Sequence, residues 1–380
     1  MFDFFKKFVS GAKSAGLSNV FGGKHNSIVG VDIGSSSIKV VEMKKEHGKI
    51  VLTTYGEIAL GPYQSKPVGS SGSLDPDITA NALIDLLKEA HTTTRDAVVA
   101  IQSSASLIFM ISLPASAEKK LDEVIPNEAR KYIPVPLSEV TLNWIQIPAH
   151  ITQSLQRSDD SFDKGKLESD RIQVLVVALR NDVVGSYKNV IAQASLSAHQ
   201  YEIEMFSAVR SSIHNELSPV MIIDFGASQT RCVVVCYGMI FKYNAFNRGG
   251  TSITDNIARS ISVSFEKAEE LKRNEGLVGK NHPDVAHISQ TMLSSLAIEI
   301  QTTMLDFQKE YNKAIDKIVM IGGGARMEGL SDYIQQTLGV PTSVGDPFGK
   351  TEHPEFLNQV LSNVGPEFSI AAGSALYQLE

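Results

Sequence analysis

Residues 29–39 read Val29-Gly30-Val31-Asp32-Ile33-Gly34-Ser35-Ser36-Ser37-Ile38-Lys39, and residues 221–231 read Met221-Ile222-Ile223-Asp224-Phe225-Gly226-Ala227-Ser228-Gln229-Thr230-Arg231. Each stretch is an apolar strand followed by an aspartate, a glycine, small or hydroxyl residues and a cation. The glycine lets the turn backbone approach a ligand closely, and free N–H and hydroxyl groups favour anionic oxygens. Two copies with the same order of residue types predict a duplicated domain whose halves clamp one polyphosphate.

The aspartate of each copy would repel a phosphate that it touched directly. A divalent cation between the two groups, usually Mg²⁺ that keeps its waters, removes this repulsion. Asp32 and Asp224 are therefore the candidate metal ligands. The alternative is that both stretches are ordinary β-hairpins, because Asp and Gly are common turn residues between apolar runs.

A third segment favours the nucleotide interpretation. Residues 317–321 form an apolar run that predicts a buried strand, and Gly322, Gly323 and Gly324 follow it before a predicted helix at 328–338. Three consecutive glycines leave a flat backbone surface that suits a purine and a ribose, although a plain strand-to-helix turn is the alternative. The segment has neither the G-x-G-x-x-G spacing of a dinucleotide site nor a Walker lysine.

The composition is that of an ordinary globular protein. At 380 residues the chain is too long for one core, and a net charge of -7 argues against a nucleic-acid-binding protein. No stretch approaches the apolar length that spans a bilayer. Cys232 and Cys236 lie on one face of a predicted strand, too far apart for a disulfide, and are predicted to be buried free thiols.

The N-terminal segment has a different pattern. Over residues 1–14, aromatic and aliphatic side chains fall on one helical arc and three lysines on the other, which predicts a short amphipathic helix. Residues 1–24 are a candidate for contact with an anionic membrane surface or a partner. Folding back onto the protein, or fraying, is an equal alternative.

The rest of the chain alternates between predicted strands and helices. Between about Arg95 and Ser195 the order β-β-α-β-β-α predicts a compact insertion, with a polar loop at 152–170. Later helices are predicted at 251–260, 265–273, 288–311 and 368–379, the last rich in small residues suited to close packing. Glu269 and Lys272 share one helix face, and a surface ion pair is the commoner meaning of that spacing.

These motifs together resemble the superfamily of actin, heat-shock chaperones and sugar kinases. Within it, the chain is most similar to the PilM family of type IV pilus assembly proteins, which is related to the cell-division protein FtsA. The resemblance extends from about Ile28 to the C-terminus. It rests on the two hairpins, the glycine loop, the last helix, and the stretches 127–140 (NEARKYIPVPLSEV), 249–254 (GGTSIT) and 264–273 (SFEKAEELKR).

The resemblance implies an α/β fold of two actin-like, ribonuclease H-like lobes with an FtsA-type inserted subdomain. Its implied ranges are 1–27 for the N-terminal segment and linker, 28–94, 196–217 and 364–380 for the first lobe, 95–195 for the insertion, 218–250 and 316–363 for the second lobe, and 251–315 for a smaller subdomain of the second lobe.

The resemblance also implies ATP with Mg²⁺ between the lobes, the hydrated metal being held by Asp32 and Asp224. Lys39 would reach the phosphates, whereas Arg231 occupies the matching place in the second hairpin and reaches them or only braces the turn. The implied nucleotide-binding residues are Gly34, Ser35, Ser36, Ser37, Lys39, Gly226, Ala227, Ser228, Thr230, Gly250, Glu269, Lys272, Gly322, Gly323 and Gly324.

In function, the resemblance implies a cytoplasmic platform protein at the periphery of the inner membrane. It would bind the cytoplasmic N-terminal peptide of the membrane protein PilN near the insertion and the first lobe. No catalytic residue is assigned, because no residue that positions water for attack on the γ-phosphate is evident from spacing, and turnover is expected to be weak at most. An FtsA-like, membrane-associated, filament-forming division protein is the alternative, and self-association stays open.

Overall fold

A computed structural model describes residues 26–72, 75–156, 171–214 and 216–380 of the chain. The amphipathic helix predicted at the N-terminus lies outside these residues. The strands are β1 (Ser27–Ile33), β2 (Ser37–Glu46), β3 (Lys49–Ala59), β4 (Asp96–Ile101), β5 (Ser106–Pro114), β6 (Val140–Gln146), β7 (Arg171–Arg180), β8 (Ser197–Ile203), β9 (Val220–Phe225), β10 (Thr230–Cys236), β11 (Met239–Phe246), β12 (Lys317–Ile321) and β13 (Thr342–Val344).

The helices are numbered in the same way along the described residues. They are α1 (Pro76–Glu89), α2 (Leu121–Ala129), α3 (Ala149–Gln156), α4 (Asn181–Gln193), α5 (Glu204–Ser212), α6 (Gly250–Ser260), α7 (Phe265–Glu275), α8 (Pro283–Tyr311), α9 (Leu330–Leu338), α10 (Asn358–Val364) and α11 (Ser369–Leu376).

Two five-stranded sheets have the same topology, which confirms the duplication predicted from the hairpins. Their strand orders are β3-β2-β1-β4-β8 and β11-β10-β9-β12-β13. In both, the first three strands form an antiparallel meander and the next two join in parallel. The predicted α/β fold of two actin-like, ribonuclease H-like lobes is therefore correct.

The register of each hairpin explains the spacing between its aspartate and its cation. Asp32 stands directly opposite Lys39 across β1 and β2, and Asp224 stands directly opposite Arg231 across β9 and β10. Directly opposed residues project from the same face of an antiparallel pair, so each cation lies beside its aspartate. Both pairs stand at the strand ends where the turns begin.

The inserted subdomain is narrower than the predicted range 95–195. Its sheet has the order β5-β7-β6, and α2 covers one face of it with Ile125 and Ala129. The strand β4, inside the predicted range, instead pairs with β1 and β8 in the first sheet, and α4 packs against α1. The sequence prediction was wrong at both ends because an apolar run does not reveal which sheet it joins.

A second boundary also differs from the prediction. Phe348 and Leu361, placed by sequence in the second lobe, pack in one core cluster with Ile28 and Val41 of the first lobe. Glu352 forms an isolated parallel bridge with Val51 at the edge of β3. The chain after β13 has therefore already crossed to the first sheet. The remaining predicted ranges stay predictions.

Local predictions are corrected at a few places. Residues 149–156 form helix α3, although a polar loop was predicted from Thr152, and residues 157–170 lie outside the described structure. The first helix of the predicted insertion is a 3₁₀ helix (Ala115–Lys120) followed by α2, and α8 begins five residues earlier than predicted, at Pro283. Cys232 and Cys236 are buried free cysteines, as predicted. None of the described helices combines the length and apolar character needed to cross a bilayer.

Two crossing helices lie at the joint between the sheets. Helix α5 connects β8 of the first sheet to β9 of the second, and α11 packs between α5 and the first sheet. A Cβ atom on Gly373 would lie 1.9 Å from the Ser207 carbonyl oxygen, and one on Gly30 would lie 1.9 Å from that of Ala371. Close backbone approach therefore requires Gly373 on the side of α11 that faces α5, and Gly30 of β1 on the side that faces the first sheet.

Candidate functional site

The two hairpin turns face each other across a cleft between the sheets. The hydroxyl of Ser35 donates to that of Ser228 at 3.0 Å, although the two residues are 193 positions apart. In the first turn the Gly34 N–H donates to the Ser37 carbonyl at 2.9 Å, and in the second the Gly226 N–H donates to the Gln229 carbonyl at 3.0 Å. The turns thus have the same conformation and meet tip to tip.

The internal bonds of the turns determine which amides remain for a ligand. The N–H groups of Gly34 and Gly226 are used within the turns, so they cannot also bind a phosphate. Among the described residues no partner is found for the amides that follow them, which belong to Ser35, Ser36, Ala227 and Ser228. Successive free N–H groups at a turn form a concave site for anions.

All but one of the residues predicted to bind nucleotide or metal line this cleft. Both aspartates lie on its floor, both turns form its rim, and the glycine loop and the predicted Glu-x-x-Lys helix close its other side. The lining residues among those predicted are Asp32, Gly34, Ser35, Ser36, Ser37, Lys39, Asp224, Gly226, Ala227, Ser228, Gly250, Glu269, Lys272, Gly322, Gly323 and Gly324.

Thr230 is the exception among the predicted residues. It is fully buried, and its hydroxyl donates to the carbonyl of Arg248 at 2.7 Å. The residue therefore supports the chain that leads into α6 rather than facing the cleft. The sequence prediction was wrong here because Thr230 begins β10, where successive side chains point to opposite faces.

Glu269 and Lys272 form part of the cleft wall and are not a solvent-exposed surface pair. The Lys272 ammonium donates to the Glu269 carboxylate at 2.5 Å, to the Thr254 hydroxyl at 2.8 Å and to the Gly250 carbonyl at 3.1 Å. Burial lowers the pKa of Lys272, and Glu269 counteracts part of that effect. Burial raises the pKa of Glu269, but the nearby Lys272 outweighs it and the net pKa is lowered. The pair is fixed and charged, beside the first turn of α6.

The glycine loop passes directly beneath the second hairpin. Gly322 has a φ of +83°, and a Cβ atom there would lie 2.4 Å from Asp224 Oδ1. A Cβ on Gly324 would lie 2.0 Å from the ring of Phe225. Two of the three glycines are thus required by close packing against β9, while a Cβ atom on Gly323 would make only an ordinary contact with Glu367 Oε2 at 3.7 Å. The three glycines present backbone, not side chains, to the cleft.

The cleft floor contains a buried ion triad that sequence reasoning did not find. Arg231 Nη1 donates to Asp224 Oδ2 at 2.8 Å, and Arg231 Nε lies 2.9 Å from Glu204 Oε1 without a well-aimed hydrogen bond. Glu204, the first residue of α5, also accepts the N–H of Ser103 at 2.7 Å and its hydroxyl at 2.5 Å. Burial raises the pKa of Glu204, although Arg231 opposes this.

Asp32 has a different electrostatic environment from Asp224. Its facing cation, Lys39, forms an ion pair with Glu57 at 2.9 Å and donates to Ser37 Oγ at 2.7 Å. Burial raises the pKa of Asp32 from 3.8 to about 7, with Glu204 and Asp224 adding to the shift against Lys39. Among the described residues, Asp32 forms no ion pair within 4.0 Å.

This raised pKa predicts a pH-dependent stability. Between pH 4 and 7 folded Asp32 keeps its proton while the unfolded chain releases it, so its contribution is largest at low pH and is lost as the pH rises through 7. Without nucleotide, the free energy of unfolding of wild type should fall between pH 5 and 8 by about 2–3 kcal/mol more than that of Asp32→Asn, at 1.36 kcal/mol per pKa unit. Urea unfolding of both proteins at the two pH values tests this. An identical pH dependence in variant and wild type would contradict it.

Other charged residues complete the rim of the cleft. Arg326 of the glycine loop forms an ion pair with Glu367 at 2.8 Å, and Arg273 one with Glu269 at 2.7 Å. Sequence reasoning missed these two residues although they lie on elements already predicted to line the cleft. It missed Glu57 and Glu204 because they reach the cleft from other elements, β3 and α5. For Glu204, the sequence feature that could have indicated a place in the cleft is its position at the start of a helix directly after a strand of the first sheet.

Comparison with known proteins identifies the family. The family model described as type IV pilus assembly protein PilM matches residues 30–379. The chain belongs to the PilM family. A curated relative of this PilM-family chain, the cell division protein FtsA of Enterococcus faecalis, is 23% identical over 378 residues that cover 90% of this chain and 82% of that protein.

Solved structures share the fold of this PilM-family protein. The PilM-PilN type IV pilus biogenesis complex matches with a TM-score of 0.77 at 24% identity, covering 94% of this chain and all of that one. MreB 5 of Spiroplasma citri bound to AMPPNP matches with a TM-score of 0.51 at 11% identity, covering 93% of this chain and 96% of that one. At these identities the likeness establishes the actin-like fold alone.

Proposed function

We propose that this protein is a cytoplasmic, ATP-binding, actin-like platform of the type IV pilus machinery, peripheral to the inner membrane. The observation that carries the proposal is the pair of matching turns that meet across the cleft, joined by the hydrogen bond from Ser35 to Ser228. A ligand with several anionic oxygens fits in the cleft beside this contact, because both turns offer amides that have no partner among the described residues. The actin-like neighbour bound to AMPPNP supports a nucleotide as that ligand.

Different residues of the cleft would contact the phosphates and the nucleoside. The phosphates would lie between the turns, within reach of Lys39, whose burial is outweighed by Glu57 and Asp32 so that its pKa is raised and it stays charged. The adenosine would lie between the glycine loop and the fixed pair of Glu269 and Lys272. Flat glycine backbone on one side and a buried polar pair on the other suit a planar base with polar edges.

The donor set fits a hydrated divalent cation only in part. The described residues contain no group of three or more acidic, histidine or cysteine side chains that could hold a metal by themselves. Asp32 is a buried carboxylate without an ion pair among those residues, so it would hold the cation, which keeps waters and phosphate oxygens as its other ligands. When bound, Mg²⁺ neutralises phosphate charge. Asp224 is already paired with Arg231.

The arrangement favours binding over turnover. Hydrolysis needs a group that positions or deprotonates the attacking water, within hydrogen-bond reach of it. Glu204, a buried acidic residue that lines the cleft, already accepts both donors of Ser103 and lies against Arg231. A nucleotide held by both lobes binds their closed arrangement better, so it fixes lobe geometry without chemistry. Such a nucleotide would set the shape of a partner surface.

The proposed partner is the cytoplasmic N-terminal peptide of a PilN-type inner-membrane protein. The support is the PilM family assignment, together with the fold likeness to a PilM-PilN complex along nearly the whole chain. The proposed docking region is near the inserted subdomain and the first lobe. The FtsA relative, similar over 90% of this chain, favours an FtsA-like membrane-associated filament protein as the second candidate.

A peptide-binding titration distinguishes these two candidates. The full chain is titrated into a fluorescent N-terminal peptide from the PilN-type protein of the same organism, with and without Mg-ATP, and against a scrambled peptide. Saturable binding of the native peptide alone, stronger or weaker with ATP, is the expected result. If the peptide does not bind, and the full chain sediments as filaments with anionic vesicles in the presence of ATP, the platform function is refuted and the FtsA-like one is favoured.

A further inference from the structure

The two hairpins use their facing cations in different ways. In the first hairpin, Lys39 forms its ion pair with Glu57 on β3 and makes none within 4.0 Å with Asp32, the aspartate opposite it. In the second, Arg231 donates to Asp224 itself and reaches Glu204 across the floor. The duplicated motif is therefore symmetric in backbone but not in charge. Only the second copy has its cation bound to its aspartate.

The carboxylates that line the cleft show the same asymmetry. Five of the six acidic lining residues lie within 4.0 Å of a lysine or arginine, and Asp32 is the one that does not among the described residues. The paired five are Glu57, Glu204, Asp224, Glu269 and Glu367. A cation entering with the nucleotide therefore finds one carboxylate without an ion pair among the described residues, at the first turn.

Both oxygens of Asp224 are in addition occupied or shielded. Oδ2 accepts from the guanidinium of Arg231 at 2.8 Å. Oδ1 lies against the backbone of Gly322, so close that a Cβ atom there would be 2.4 Å away. A divalent cation near this carboxylate would also be repelled by the guanidinium, an interaction that is strong in a buried site. Asp224 lacks the free, accessible oxygens that a hydrated cation needs.

We propose that the divalent cation accompanying the nucleotide is held from the first hairpin alone, through Asp32, and that Arg231 takes the cation's place at Asp224. This inference rests on the proposed nucleotide function. It replaces the prediction that both aspartates hold the metal. Arg231 is then a built-in counter-cation that neutralises Asp224 and Glu204, which belong to different lobes, whether or not a divalent cation is present.

The test compares how strongly Mg²⁺ assists ATP binding in matched variants of the full chain. The Kd for ATP is measured by calorimetry in Mg²⁺ and in EDTA. The Kd in EDTA divided by the Kd in Mg²⁺ gives the contribution of the cation to ATP binding. In wild type the ratio should be roughly tenfold or more, as for other changes at a metal site. Asp32→Asn should reduce the ratio to near one, whereas Asp224→Asn, which leaves Arg231 paired with Glu204, should preserve it.

Arg231→Gln supplies a second arm. Without the guanidinium, the Asp224 carboxylate becomes available to the cation, so the ratio should rise above that of wild type. Combining Arg231→Gln with Asp224→Asn should cancel the increase. If Arg231→Gln does not fold, the comparison of Asp32→Asn with Asp224→Asn decides alone. Equal loss of the ratio in those two variants, or a wild-type ratio of one, would overturn the inference and leave nucleotide binding intact. Absence of ATP binding to wild type in both buffers would instead refute the proposed function.

Discussion

Replacement of Arg210 by methionine is expected to destabilise the protein by about 3–5 kcal/mol, because it leaves a buried carboxylate without its cation. Arg210 binds Glu202 through two nitrogens at 2.6 and 2.8 Å, and both side chains are almost fully buried. The guanidinium also donates to the carbonyl of Gly373 at 2.7 Å and lies 4.9 Å from the centre of the Tyr377 ring. It thus joins α5 to α11 at the crossing between the lobes.

Urea unfolding of wild type and variant measures this loss. The matched control is Arg180→Met, because Arg180 forms its ion pair with Asp182 while both side chains are more than half exposed. Exposed pairs contribute about 0–1 kcal/mol, so this control should stay close to wild type. A double variant, Glu202→Met with Arg210→Met, should recover part of the loss since no charge remains buried. Equal stabilities of the Arg210 and Arg180 variants would contradict the account.

Replacement of Lys39 by methionine is expected to weaken ATP binding by about 10- to 150-fold, the equivalent of about 1.5–3 kcal/mol for a hydrogen bond to a charged group. The Lys39 ammonium lies in the cleft lining beside the first turn, held by Glu57 and the hydroxyl of Ser37. Methionine has a similar length and no charge, so it keeps the packing and removes the cation. Displacement of a fluorescent ATP analogue measures the change in Kd.

Lys44→Met is the matched control for this experiment. Lys44 lies on the same strand β2, outside the cleft lining, and pairs with Glu46 with 38% of its side chain exposed. Its replacement should leave the Kd for ATP unchanged. If Lys39→Met binds ATP as tightly as Lys44→Met, the phosphates do not lie at the first turn.

The hairpins and the duplicated sheets were predictable because their determinants are local. Alternating apolar runs, an aspartate and a glycine specify a strand, a turn and a returning strand within a dozen residues. The cation opposite each aspartate follows from the same register. Repetition of the pattern then predicts a second sheet of the same topology. The residues predicted at the two turns accordingly line the cleft, whereas Gly250, Glu269 and Lys272 were predicted from the family resemblance.

The errors and omissions concern contacts between distant segments. Glu204 and Arg231 meet only because α5 leads from one sheet to the other, and nothing in the local sequence of either residue marks the contact. The apolar pattern of β4 would suit the first sheet and the sheet of the insertion equally well, so the sequence could not locate the start of the insertion. Thr230 was misassigned because one step along a strand reverses the direction of a side chain.

The charge asymmetry of the cleft also required the structure. From the sequence, Lys39 and Arg231 hold equivalent places in two copies of one motif. In the structure, Lys39 forms its ion pair with Glu57 on β3 and not with Asp32, whereas Arg231 pairs with Asp224. A difference in a third strand thus changes the electrostatic role of the first hairpin. Duplication predicted the shape of the site but not the distribution of its charges.

The central claim is that one nucleotide is held by both lobes at once. Calorimetric titration of Mg-ATP into wild type, Lys39→Met and Lys272→Met tests it most directly, because Lys39 belongs to the first lobe and Lys272 to the second. One ATP should bind per wild-type chain, and both variants should bind it more weakly. Absence of binding to wild type, or weakening in only one of the two variants, would contradict it.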